Sequence, residues 1–133
     1  MKRWIVLGTS LAVVTALPLT AGALTSGRAV PVTLNEFNIL AAVQSAPVGK
    51  VTFVLTNKGK MAHEFVVVKT AKPAGSLLKG KEADETGAAG EEGDIQPGQT
   101  KKLVLTLKRG HYALICNLPG HYLGGQFADF YVH

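Results

Sequence analysis

The sequence is short of cysteine: Cys116 is the only one in 133 residues. A single thiol rules out an internal disulfide, and its distance from the N-terminus rules out a lipid-anchored lipoprotein. Histidine is also scarce, at four residues, and His111 and His133 show no paired arrangement that would build a second metal centre. Basic residues exceed acidic ones only by 14 to 9, and the net charge of +5 falls to +3 once Lys2 and Arg3 are set aside. Nothing in that balance favours nucleic acid, though a mildly basic chain suits acidic partners. Internal repeats and low-complexity tracts are missing as well.

What is present begins with a three-part leader. Met1-Lys2-Arg3 is followed by the apolar run Trp4 to Leu17 and then by the small residues Ala21-Gly22-Ala23, the layout of a secretory signal peptide. Residues 1–23 are therefore read as a signal peptide and 24–133 as one domain, exported to the periplasm or another extracytoplasmic space. The competing reading is an uncleaved anchor, because Trp4 to Leu24 nearly suffices to span a bilayer; Pro18 and the small residues favour cleavage, and membrane contact is expected only if the leader is retained. About 110 residues remain, enough to close one hydrophobic core.

Beyond the leader, apolar residues recur at every second position in short runs separated by Gly, Pro and Asn, the pattern of successive strands. Leu103, Leu105 and Leu107 share one face while Lys102, Thr106 and Lys108 share the other. Further strands are expected at Val30–Leu34, Phe37–Val43, Val51–Asn57, Glu64–Lys69, Tyr112–Cys116 and Phe127–Val132. That makes about seven, the number of a Greek-key sandwich or barrel. Phe53, Phe65, Phe127 and Phe130 read as core. Thr70 to Thr100 is expected to be one long irregular excursion, with a short helix near Ser76–Leu78. Its acids (Glu82, Asp84, Glu85, Glu91, Glu92, Asp94) read as a solvated face.

The chemistry concentrates in Tyr112-Ala-Leu-Ile-Cys116-Asn-Leu-Pro-Gly-His121-Tyr-Leu-Gly-Gly-Gln126, where a thiol, an imidazole and an amide follow at intervals of five residues around a Pro-Gly turn. Alternation puts Tyr112, Leu114 and Cys116 on one strand face, so the thiol emerges at the inward end. Pro119-Gly120 can turn His121 back toward it, and Gln126 shares a face with Ala128, Phe130 and Val132. A fourth candidate, His63, stands 53 residues before Cys116 at the start of His63-Glu-Phe-Val-Val-Val. A thiolate, two imidazoles and a weak axial Met or Gln are the donors of a blue-copper electron-transfer site. A structural zinc site would want four strong Cys/His ligands, and only three are available. His111 lies on the opposite strand parity from Cys116, and His133 ends the sequence; both are expected to face solvent.

In these segments, and in Val51-Thr-Phe-Val-Leu-Thr-Asn57, Gln96-Pro-Gly98 and Gly110-His-Tyr112, the sequence resembles the cupredoxins, small exported members in particular. The resemblance runs from Val30 to Val132. It implies an all-β, cupredoxin-like Greek-key fold that binds one copper ion through His63, Cys116 and His121, with residue 126 in the axial position. The family usually has methionine there; glutamine is a harder donor and implies a bias toward Cu(II). Met61, two residues before His63, is the only other axial candidate once the leader is gone. Glu64 stands where several relatives carry an asparagine that braces the copper loop.

The function so implied is single-electron transfer between exported or membrane-bound redox partners by a monomer that is not an enzyme. The alternative is a copper carrier or chaperone using the same ligands; the closed donor set and the rigid Pro-Gly loop favour electron transfer. Leu118, Pro119, Tyr122 and Leu123, around the edge of His121, are expected to form the docking patch for redox partners.

Overall fold

A computed structural model describes residues 27–133; the leader lies outside the described residues. In chain order the strands are β1 (Arg28–Asn35), β2 (Asn38–Ala41), β3 (Ser45–Ala46), β4 (Gly49–Asn57), β5 (His63–Lys69), β6 (Leu78–Lys79), β7 (Glu82–Ala83), β8 (Ala88–Ile95), β9 (Thr100–Leu107), β10 (Gly110–Ile115) and β11 (Phe127–Val132). Eight of them have four or more residues, slightly more than the alternation suggested.

Strict alternation builds the first sheet, ordered β2-β1-β4-β9. In β4, Val51, Phe53 and Leu55 are fully buried while Lys50 is exposed and Thr52, Val54 and Thr56 are only partly covered. In β1, Val30, Val32 and Leu34 do the same. β1 and β4 run parallel, β4 and β9 antiparallel. The second sheet, ordered β3-β11-β10-β5-β8, packs its inner face, including Phe65, Val67, Tyr112, Leu114 and Phe130, against the first. Phe53 lies at the centre of this core, with ring centroids 5.2 Å from Phe65 and 5.4 Å from Phe130.

The link at Lys58-Gly59-Lys60 carries the chain from the first sheet to the second rather than closing a hairpin, since β4 and β5 are not neighbours. The fully buried Asn57 secures it: the side-chain amide donates to Met61 O (2.7 Å) and Ile95 O (2.8 Å), and Oδ1 accepts from Gly59 N (2.8 Å). Three bonds to backbone satisfy a side chain that would be costly to bury unpaired, and they set where β5 begins.

The stretch between Thr70 and Thr100 is more ordered than expected. It holds a 3₁₀ turn at Ala74–Ser76, the small β6-β7 ladder, and β8 as the edge strand beside β5. Gly90, Gly93 and the acids of β8 have low strand propensity, so its pairing is dictated by the partner strand. Gly90 also lets β8 close on the first sheet, because a Cβ there would lie 2.5 Å from Leu105 Cδ2. The turn and the β6-β7 ladder cover the outer face of β5 and β10. There Val66, Val68, Ala113 and Ile115 form a second cluster with Ala74, Leu77, Ala83 and Tyr122. Phe127, expected as core, is half-buried and packs against this second cluster rather than between the sheets, because its position in β11 faces outward.

Candidate metal centre

Three of the four expected ligands sit at or next to a strand end, and the fourth lies in the turn that joins two of those strands. His63 opens β5, Cys116 follows the last residue of β10, Gln126 precedes β11, and His121 lies in the turn between them. The base of the turn is closed by Cys116 N donating to Gln126 O (3.1 Å) and Gln126 N to His121 O (3.1 Å). Its tip is closed by His121 N to Leu118 O (2.9 Å) and Gly124 N to Gly120 O (3.0 Å). Gly120, at φ 82°, takes the left-handed conformation that the reversal requires.

The structure brings all four side chains together. His63, Cys116 and Gln126 are 0% exposed and His121 is 4% exposed. The donor atoms of His63, Cys116 and His121 lie within 4.8 Å of one another. The two Nδ1 atoms are 3.3 Å apart, and Cys116 Sγ is 3.4 Å from His121 Nδ1. Three donors held trigonally about a first-row metal ion at ~2.0–2.3 Å would lie roughly 3.5–4 Å apart. The cradle therefore fits such an ion in both spacing and donor chemistry.

Gln126 Oε1 is 3.1 Å from His121 Nδ1, while Nε2 reaches Asn35 O (2.9 Å), Asn38 O (3.4 Å) and His63 Nδ1 (3.0 Å). Backbone carbonyls only accept, so they hold the amide nitrogen toward the loop after β1 and leave the oxygen turned to His121. Met61 is 46% exposed and leaves this interior position to Gln126.

Around the donors stands a ring of supports. Glu36 Oε1 is 3.3 Å from His63 Nε2 and accepts from Lys60 N (2.7 Å) and Met61 N (2.8 Å). Those bonds, the Met61 N–H first, hold the Glu36 carboxyl below its ordinary range. With the Nε2 proton given to a carboxylate, the His63 Nδ1 lone pair faces the site. Burial and then the neighbouring His121 lower the proton affinity of His63, against the pull of Glu36. Burial pushes the Cys116 thiol up, partly offset by backbone N–H groups, first that of Glu64, whose nitrogen is 3.4 Å from Sγ. Glu64 also accepts from Asn117 N at 2.9 Å. It thus ties the strand carrying His63 to the loop carrying Cys116. Phe37 packs edge-on against His121, with centroids 5.1 Å apart.

His111 does not join the cluster. Its Nδ1 pairs with Thr70 O (2.6 Å) and its Nε2 with Asp129 Oδ1 (2.7 Å), so it is largely buried rather than solvent-facing, its side chain 16% exposed. His133 is exposed. On the expected docking rim, Pro119 and Leu123 are exposed and Leu118 half-buried. Tyr122 is not part of that rim: it is 4% exposed, and its hydroxyl is spent on Leu77 N and Ala74 O. Glu36, Phe37 and Asn117 surround the site without any local motif to mark them.

No family model matches the sequence, and no curated protein matches it either. Solved structures do. The chain is similar to dithionite-reduced auracyanin from the photosynthetic bacterium Roseiflexus castenholzii (TM-score 0.63, 18% identity, covering 80% of this chain and 98% of that one). It is also similar to auracyanin A from Chloroflexus aurantiacus, described as a "blue" copper protein (TM-score 0.57, 20% identity, 79% and 98%). A third is rusticyanin from Thiobacillus ferrooxidans (TM-score 0.62, 17% identity, 81% and 79%). These likenesses establish the fold, a cupredoxin-like β-sandwich.

Proposed function

We propose that this chain is a type 1 copper protein that carries single electrons, holding one copper ion with His63, Cys116 and His121 as the strong ligands and Gln126 Oε1 as the axial donor. The observation that carries this reading is the convergence of one thiol and two imidazoles, all buried, within 4.8 Å at the end of a cupredoxin-like sandwich. Copper bound there would supply a one-electron Cu(I)/Cu(II) couple. The blue-copper auracyanin among the structural neighbours supports the choice of metal.

The protein's own residues supply the rest. Glu36 orients His63, the Glu64 N–H points at Cys116 Sγ, and the carbonyls of Asn35 and Asn38 turn the Gln126 oxygen inward. The burial of every donor excludes water and opposes ligand exchange, which favours electron transfer over copper delivery. Electrons would leave by the His121 edge, where Leu118, Pro119 and Leu123, with Phe37, offer apolar surface to a redox partner. The leader supports an extracytoplasmic location.

The copper-loaded protein should be reduced and reoxidised by one electron without losing metal to a chelator. Loss of the ion on each cycle would favour the carrier instead. Gln126→Met should raise the potential by about 60 mV or more, a tenfold change in preference for a one-electron couple; an unchanged or lower potential removes the axial assignment. Leu123→Lys should slow electron exchange while leaving the copper spectrum intact, and an unchanged rate removes the docking patch.

A further inference from the structure

The irregular segment that follows β5 meets the ligand loop at two points, and each point is the residue next to an expected ligand. Cys116 and His121 turn inward, so Asn117 and Tyr122 turn toward the outer face of the second sheet, where that segment lies. Asn117 pairs with Ala83 as a strand would: Oδ1 accepts from Ala83 N (2.8 Å) and Nδ2 donates to Ala83 O (3.1 Å). Nδ2 also donates to Glu85 Oε1 (2.8 Å). The Tyr122 hydroxyl accepts from Leu77 N (2.8 Å) and donates to Ala74 O (2.6 Å), closing the 3₁₀ turn from outside, while its ring packs on Phe127 (centroids 5.2 Å apart).

We propose that Asn117 and Tyr122 are positioning residues, and that the segment Ala74–Glu85 acts as an external clasp holding Cys116 and His121 at their spacing from His63. The proposal rests on reading those three residues as copper ligands. The ligand loop is an 11-residue turn from Cys116 to Gln126, and its internal hydrogen bonds close its base and its tip. They do not tie its outer side to the sheet. Glu64 ties the Asn117 N–H to β5, and the clasp adds four side-chain bonds to backbone groups, with a fifth to Glu85, from a segment that belongs to neither the loop nor the core between the sheets. This gives the excursion a function: it lowers the freedom of the loop whether or not metal is bound, so that the ligands cannot separate to release the ion. A purely structural outer cluster would instead affect the site only in proportion to global stability.

The test compares copper release across variants of the full chain. Each protein is loaded with Cu(II), and loss of the thiolate-to-copper band to excess chelator is followed. Tyr122→Phe keeps the ring and removes both hydroxyl bonds. Asn117→Ala removes the side-chain clasp and leaves the Asn117 N–H on Glu64. Each should release copper about tenfold faster, the scale of a lost buried hydrogen bond. Val132→Ala serves as the control: Val132 lies in the core between the sheets, opposite Gly110 at the far end from the ligand loop. It should lower the melting temperature at least as much, yet change release less than about twofold. Release that follows melting temperature across all three variants, or clasp variants that match the parent, would overturn the proposal.

If the parent chain forms no thiolate band, the copper reading fails while the clasp remains testable by hydrogen exchange on the metal-free protein. The amides of Cys116, Gly124 and Gln126 should then exchange about tenfold faster in Tyr122→Phe and Asn117→Ala than in the parent; equal protection would overturn the clasp. Should Tyr122→Phe not fold, Asn117→Ala carries both measurements.

Discussion

β5 and β10 are buried on both faces, but the two coverings differ in kind. On the inner face, Phe65, Val67, Tyr112 and Leu114 meet the regular alternating strands of the first sheet. On the outer face, Val66, Val68, Ala113 and Ile115 meet three small or isolated apolar residues, Ala74, Leu77 and Ala83, together with Tyr122 from the ligand loop. The inner layer is large and cooperative and holds the sheets together. The outer layer is small, fastened by side-chain hydrogen bonds, and touches the ligand loop directly. The inner face thus carries bulk stability, while the outer face adds a hold on the ligand loop beside the supports that Glu36, Glu64 and the Asn35 and Asn38 carbonyls give the donors.

The comparison breaks most readily in the inner layer. Phe53→Ala should cost about 3–5 kcal/mol and unfold both sheets in one transition in denaturant; a loss below about 1 kcal/mol would show that the inner layer does not dominate. Leu77→Ala, in the outer layer, should cost about 2 kcal/mol, the low end for a buried leucine, because a small cluster at the surface can relax. Its amide-exchange signature should be confined to residues 74–86 and the ligand loop, and spreading across β1 and β4 would erase the distinction. Asn57→Ala strands Met61 O, Ile95 O and Gly59 N, and should cost about 1–3 kcal/mol in thermal unfolding. Because Asn57 fixes where β5 begins, copper affinity should fall with it. The smallest effect belongs to Glu92→Ala on the edge strand β8. It breaks the 3.2 Å pair with Lys101, whose members are 30% and 31% exposed, and should cost less than about 1 kcal/mol.

The inner layer was legible in the sequence because a half-buried strand writes its face at every second position, as Leu103, Leu105 and Leu107 do. The loop from Cys116 to Gln126 was legible for a related reason: its donors, its turn and its flanking strands are contiguous. The outer layer was not. β8 contains two glycines and three acids, and its ladder is imposed by β5 through two irregularities of register, after His63 and after Val67. Ala74, Leu77 and Ala83 are too sparse to show a period. Glu36 and Asn117 were invisible as supports because their partners lie 27 and 34 residues away, and only the fold brings them together. Tyr122 read as part of the docking patch because it lies in the ligand loop between His121 and Leu123. Its hydroxyl, reaching back to Ala74 and Leu77, decides otherwise.

The central claim is that His63, Cys116 and His121 form one copper site with thiolate ligation. Titration of the metal-free protein with Cu(II), followed by visible absorption, tests it directly. An intense thiolate-to-copper band that saturates at one equivalent and disappears in Cys116→Ser is the predicted result. Absence of the band in the parent protein, or a band that survives Cys116→Ser, would contradict the account.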